Sequence, residues 1–138
     1  MKGSIFTKDL LLAACFTVLP PLSIFMYGSY RCDHPEYKDI LETRLGISEL
    51  DGWSLSHLLF FMLAGYIFKG DYLIGAFVIG VLWELFEHYY GVHRPGWLGG
   101  YGDCIQTDRL QGNWWYGKWS DIIMNGLGIY IGTLLKKY

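Results

Sequence analysis

The residues with most chemistry in this chain are Trp83-Glu84-Leu85-Phe86-Glu87-His88, two acids and a histidine that close the apolar run YLIGAFVIGVL at 72–82. Ionisable side chains in so apolar a segment are costly, and normally face a protein interior where they have a task. Glu84 and Glu87 stand i,i+3, and Glu84 and His88 i,i+4, so a helix puts them on one face. Paired carboxylates are hard oxygen ligands suited to Ca²⁺ or Mg²⁺. A histidine titrates near neutral pH and can serve as a general base.

The composition says what kind of element carries them. Of 138 residues, 52% are hydrophobic and 18% aromatic but only 17% charged, too apolar for an ordinary soluble surface and natural for a polytopic membrane protein. The net charge of −2, with no basic stripe, argues against nucleic acid as a partner. Cys15, Cys32 and Cys104 form no Cys-x-x-Cys or zinc pattern. Leu12-Ala13-Ala14-Cys15 spells a lipobox, but the leader before it is too short and the apolar run continues past it, so the first segment reads as a retained anchor.

Four apolar runs follow one another at 10–27, 53–68, 72–90 and 119–135, each 16 to 19 residues long. At 1.5 Å per residue they cross roughly 24–28 Å, the short side of a bilayer core. Pro20-Pro21 should kink the first, and aromatic residues near the run ends resemble an interfacial belt. The expected fold is all-α: a single domain, 1–138, built as a bundle of four transmembrane helices. Lys69-Gly70-Asp71 makes a hairpin, whereas the other two links, 28–52 and 91–118, are long and fall on one side. Pro35 to Leu45 reads as a short amphipathic helix starting near Asp33 or His34. The second long link, from Gly91 to Lys118, is rich in glycine and aromatics, as an ordered loop or a docking surface for assembly partners would be. Five of the 11 Lys/Arg residues lie with the termini and the hairpin, and six acids lie in the first long link. The positive-inside rule then favours cytoplasmic termini.

Alternating helix direction brings the polar residues together. His57 starts the second helix, Glu84, Glu87 and His88 end the third, and Asp121 and Asn125 start the fourth. All six fall at the long-link end of the bundle. Asp121, Asn125, Gly128 and Gly132 form one stripe, polar above and small below, and His57, Phe61, Ala64 and Phe68 form its match. The pocket so built suits a divalent cation bridging a phosphate, with His57 or His88 as base, at the depth of phospholipid headgroups. The Glu-x-x-His spacing of di-iron bundles is absent, and Ser54 and Ser56 sit in no nucleophile elbow. The alternative is structural: acids pairing with Arg94 or histidine to hold the loops. Direct pairing among the side chains favours that role, and room for an ion or headgroup favours catalysis.

Trp83-Glu84-Leu85-Phe86-Glu87, the pair Trp114-Trp115, and Asp121 followed by Asn125-Gly126-Leu127-Gly128-Ile129 and Gly132 resemble the core of the base-exchange phosphatidylserine synthases, over about 51–132. That resemblance implies a calcium-dependent enzyme of the endoplasmic reticulum that swaps a phospholipid headgroup for L-serine. It also implies His57, Glu84, Glu87, Asp121 and Asn125 as catalytic residues, with Glu84, Glu87 and Asp121 holding the cation. The family's acids beside the Trp-Trp pair are replaced here by Gly112-Asn113 and Tyr116, Asp103 and Asp108 being the nearest substitutes, and Asp121 stands one residue closer to Asn125. A second resemblance, to the VanZ-like membrane proteins, rests on Asp51 to His57, Trp83 to Glu87, Arg94, and Asp121 with Asn125, Gly128 and Gly132. It implies a small cell-envelope protein. The rival from another class is a non-catalytic structural or assembly protein of an envelope, organelle or virion membrane.

Overall fold

The computed structural model describes residues 2–34, 36, 39–46, 49–93 and 117–137. Arg94, Asp103, Cys104, Asp108 and Trp114-Trp115 lie outside them, as does the Cys32 side chain. The described residues are helical and contain no strand: α1 (Lys2–Asp33), a 3₁₀ turn (Ile40–Glu42), α2 (Gly52–Ile67), α3 (Asp71–His93) and α4 (Trp119–Leu135). α4 has the expected bounds and α2 is shifted by one residue. α1 is much longer than the expected 10–27 and passes through Pro20 and Pro21 as one helix.

The distribution of polarity is inverted relative to a water-soluble fold. Among the described residues only Phe61, Ala64, Phe68 and Tyr90 are buried apolar side chains, against seven buried polar or charged residues. Large apolar side chains such as Leu11, Met26, Ile74 and Val92 are more than 60% exposed. α1 (over Asp9–Arg31) and α3 are long and apolar enough to cross a membrane, and their apolar windows are 0% and 11% buried, unlike the core helix of a soluble protein.

Two parallel helices, α2 and α4, form the tight centre, with α3 antiparallel to both. Their backbones approach through glycines. A Cβ on Gly128 would lie 2.5 Å from the Leu58 carbonyl oxygen and 2.8 Å from the Met62 nitrogen, and one on Gly132 would run into the Met62 carbonyl. From α2, Gly65 lies equally close to Ile129. The stripe Asp121, Asn125, Gly128, Gly132 is buried along its whole length, as are Phe61, Ala64 and Phe68 opposite. At the hairpin end the Lys136 Nζ donates to the Ile67 and Phe68 carbonyl oxygens at 2.9 and 3.0 Å, ending α2 and fastening α4 to it. The hairpin turns at Gly70, whose φ of 56° favours glycine.

α1 meets the bundle through aromatic rings. Phe16 packs on Phe60 and Phe68, both with centroids 5.0 Å away, and Phe25 packs on Trp83 and Phe86. The 28–52 link is tied by one buried carboxylate instead of the amphipathic helix expected at 35–45. Asp39 accepts from Leu41 N (2.9 Å), Tyr27 Oη (3.0 Å) and Trp53 Nε1 (3.0 Å), and pairs with Arg31 at 3.3 Å. Capping so short a turn while binding α1 and α2 leaves Asp39 no part in a longer helix.

Gly132→Ala should therefore overpack the α2–α4 contact and cost about 3 kcal/mol or more, whereas Gly75→Ala, whose Cβ meets nothing within 4 Å, should be neutral or mildly stabilising. Thermal unfolding in detergent checks the pair; equal midpoints would mean that α2 and α4 do not approach so closely.

Candidate functional site

The start of α2 fixes the first part of the site. Asp51, in extended conformation at the N-cap, accepts from Ser54 N at 3.0 Å, satisfying a donor at the helix start. Its other oxygen pairs with the Lys118 ammonium. The Ser54 hydroxyl, 1% exposed, donates to Asp121 Oδ1 on α4, which Ser120 Oγ also approaches at 3.3 Å. Two acids that would repel across the α2–α4 seam are thus separated by a shared serine and balanced by a lysine.

One turn further along α2, His57 Nδ1 lies 2.9 Å from Asn125 Oδ1 on α4, and Nε2 lies 3.5 Å from Glu84 Oε1 on α3. Glu84 is 2% exposed, and its Oε2 accepts the Lys118 backbone N–H at 2.9 Å. Gly117 makes that bond reachable: a Cβ there would strike the Glu84 carbonyl. His57, Glu84 and Asp121 each offer a ligand atom, and these lie within 4.8 Å of one another.

With Asn125 Oδ1 as acceptor, the His57 proton sits on Nδ1 and the Nε2 lone pair faces a carboxylate oxygen. Glu84 Oε1 is buried and makes no hydrogen bond among the described residues. Two lone pairs facing at 3.5 Å attract only if something positive lies between or beside them, either a proton on Nε2 or a cation shared with Asp121. The donor set, one imidazole and two carboxylates, fits a divalent cation. Direct pairing is equally plain at His57–Asn125, Ser54–Asp121 and Lys118–Asp51.

Of the residues expected from the sequence, His57, Glu84, Asp121 and Asn125 come together. Glu87 is not among the three that share ligand distance; it lines a cavity between α1, α2 and α3. Asn125 is fully buried and holds the imidazole, while its Nδ2 sits near Gly80. His88 is exposed. Sequence reasoning missed Asp51, Ser54 and Lys118 as members of the network. The pattern Asp-x-x-Ser just before an apolar run was the available signal for the first two; nothing local marked Lys118.

Comparison of the chain with protein-family models, curated proteins and solved structures gives no match.

Burial acts to raise the Asp51 carboxyl, but the Lys118 ammonium and the Ser54 N–H outweigh it and hold the group below the ordinary aspartate value. A depressed value in the folded state stabilises the fold above the unfolded value, near 3.9, and that stability is lost as pH falls through the folded value. Asp51→Asn keeps a cap but removes the carboxylate charge that faces the Lys118 ammonium, and should cost about 1–3 kcal/mol at pH 7. Thermal midpoints of the two proteins should converge below about pH 4. A constant gap down to pH 3 would show that charge is not what Asp51 supplies.

Proposed function

We propose that the chain is a four-span integral membrane enzyme acting on phospholipid headgroups, in the manner of phosphatidylserine synthesis by base exchange. The observation that carries this reading is the Glu84 Oε1–His57 Nε2 pair: a buried carboxylate oxygen with no hydrogen bond among the described residues, beside an imidazole and with Asp121 in ligand reach. A structural cluster would be expected to satisfy that oxygen. α2 and α4 are too short to match α1, but their exposed apolar faces and the inverted polarity support four spans in all. The resemblance to the base-exchange synthases supplies the reaction class, and with it L-serine as acceptor and the endoplasmic reticulum as location.

In this reading Glu84 and Asp121 would hold a divalent cation such as Ca²⁺ through carboxylate oxygens, which when bound would neutralise phosphate charge. Glu87, which the resemblance places with the ligands, would face the lipid side. Asn125 fixes the imidazole through Nδ1, and Lys118 holds Glu84 in place from its backbone. The serine hydroxyl loses its proton to a base, its oxygen attacks phosphorus, and the departing headgroup alkoxide takes a proton as its bond to phosphorus breaks. Imidazole Nε2, left free by the Nδ1–Asn125 bond, takes the serine proton and returns it to the departing alkoxide.

The direct pairs His57–Asn125, Ser54–Asp121 and Lys118–Asp51 favour a second reading. There the cluster fastens the long links of a non-catalytic membrane protein, and the segment from Gly91 to Lys118 is the surface that meets assembly partners.

Purified protein in phosphatidylethanolamine vesicles with Ca²⁺ and labelled serine should yield labelled lipid. His57→Gln should slow incorporation by about 10²–10⁴-fold, and Glu84→Gln and Asp121→Asn should abolish both incorporation and Tb³⁺ luminescence sensitised by the protein. No incorporation by the wild type, or activity untouched by Glu84→Gln, overturns the enzyme in favour of the structural role.

A further inference from the structure

The polar cluster is not the largest unexplained feature. Between α1, α2 and α3 lies a cavity of about 770 Å³ that neither the cluster nor the packing of α2 on α4 accounts for. Along α3 its lining runs from Asp71 to Glu87. That span is about 24 Å at 1.5 Å per residue, most of a hydrocarbon core of about 30 Å.

Its walls are chemically uniform. Apart from the Tyr72 phenol at the hairpin end, three lining residues, Thr17, Ser23 and Ser56, carry hydroxyls, and each donates to a carbonyl of its own helix: Ala13 at 2.9 Å, Leu19 at 2.9 Å and Trp53 at 2.7 Å. What remains facing the cavity between its ends is apolar. Its depth comes from missing side chains on α3, where Gly75 has open space at the Cβ position and Ala76 follows.

The two ends differ. The hairpin end closes on rings, Phe16 edge-on to Phe68 at 5.0 Å and Phe68 stacked on Tyr72 at 6.1 Å, with Asp71 beyond. At the other end stand Glu87 and His57. His57 belongs to both features, lining the cavity while bonded to Asn125 and facing Glu84. A ligand that fits is long, thin and apolar, with one polar end. One wall is α1, which meets α3 through Phe25 on Trp83 and Phe86 and leaves Leu11, Val18, Leu22 and Met26 exposed, so in a bilayer the surrounding solvent consists of such molecules.

We infer that this cavity binds one acyl chain of a membrane glycerophospholipid, terminal methyl toward Phe68 and glycerol toward His57. The inference rests on the membrane and lipid-substrate reading given above. It makes His57 the point where the chain site meets the polar cluster, and places the phosphodiester of the same lipid beside the imidazole. Glu87 then stands where a headgroup ammonium would lie.

The test uses the full chain in phosphatidylethanolamine vesicles with a trace of phosphatidylethanolamine bearing a diazirine on one acyl chain. After irradiation, labelled residues are mapped by mass spectrometry. A diazirine near the terminal methyl should label Phe16 and Phe68, and one near the glycerol should label Trp53 and Trp83. Ile74, exposed on the opposite side of α3, reports ordinary bilayer contact. Gly75→Trp should lower labelling of the cavity residues at least tenfold and leave Ile74 unchanged. Gly75→Leu, a smaller filler, should lower it several-fold if the tryptophan variant does not fold. Labelling that ignores the diazirine position, or cavity labelling untouched in a folded Gly75 variant, overturns the chain site. Serine incorporation in the same vesicles separates the two ideas: position-dependent labelling without incorporation overturns the enzyme and keeps the chain site, and incorporation without it does the reverse.

Discussion

The close approach of α2 and α4 is the constraint from which the rest follows. Gly65, Gly128 and Gly132 remove the side chains that would hold the two backbones apart. Only at that separation can Ser54 reach Asp121 and His57 reach Asn125, because serine and asparagine are short. With α2 and α4 taken as membrane spans, as proposed, apolar attraction contributes little between them, and packing and interhelical hydrogen bonds supply the association. Here the same seam supplies both: small residues over its lower half and polar bonds over its upper half. α3 then adds Glu84 to an arrangement already set.

Burying seven polar or charged residues against four apolar ones would be ruinous for a soluble domain of this size. The polar groups are tolerated because most are bonded in series. Lys118 balances Asp51, Asp51 caps α2, Ser54 links to Asp121, and Asn125 holds His57. Within this cluster, among the described residues, Glu84 Oε1 and Asn125 Nδ2 stay without a hydrogen bond, and the carboxylate oxygen is the one that can meet a cation or a proton. Asp39 makes the contrast clear: it is as buried as any, but four partners use up its oxygens, so it reads as an anchor.

Much of this was legible in the sequence where period and direction suffice. The α4 stripe and its bounds followed from spacing, and alternation of helices brought His57, Glu84, Asp121 and Asn125 to one end. Glu87 shows the limit of that reasoning. An i,i+3 pair is offset by about 60° around a helix, enough to send Glu84 toward α4 and Glu87 toward α1 and α2. Lys118 and Asp39 were illegible for another reason. Each owes its role to partners 34 or 67 residues away, or 12 and 14, and no local pattern records such distances. Pro20-Pro21, where a kink was expected, does not end α1, which continues through both.

The two lysines at the ends of α4 have a mechanical consequence. Lys118 clamps its start to α2 through Asp51 and to α3 through Glu84, and Lys136 clamps its end to the last carbonyls of α2. A rod pinned at both ends can neither slide along its neighbour nor roll on it. The α2–α4 pair therefore behaves as a stator. α1, the outer wall of the cavity, is held differently: it leans on the bundle through the rings of Phe16 and Phe25, and near its C-terminal end Tyr27 and Arg31 tie it to Asp39.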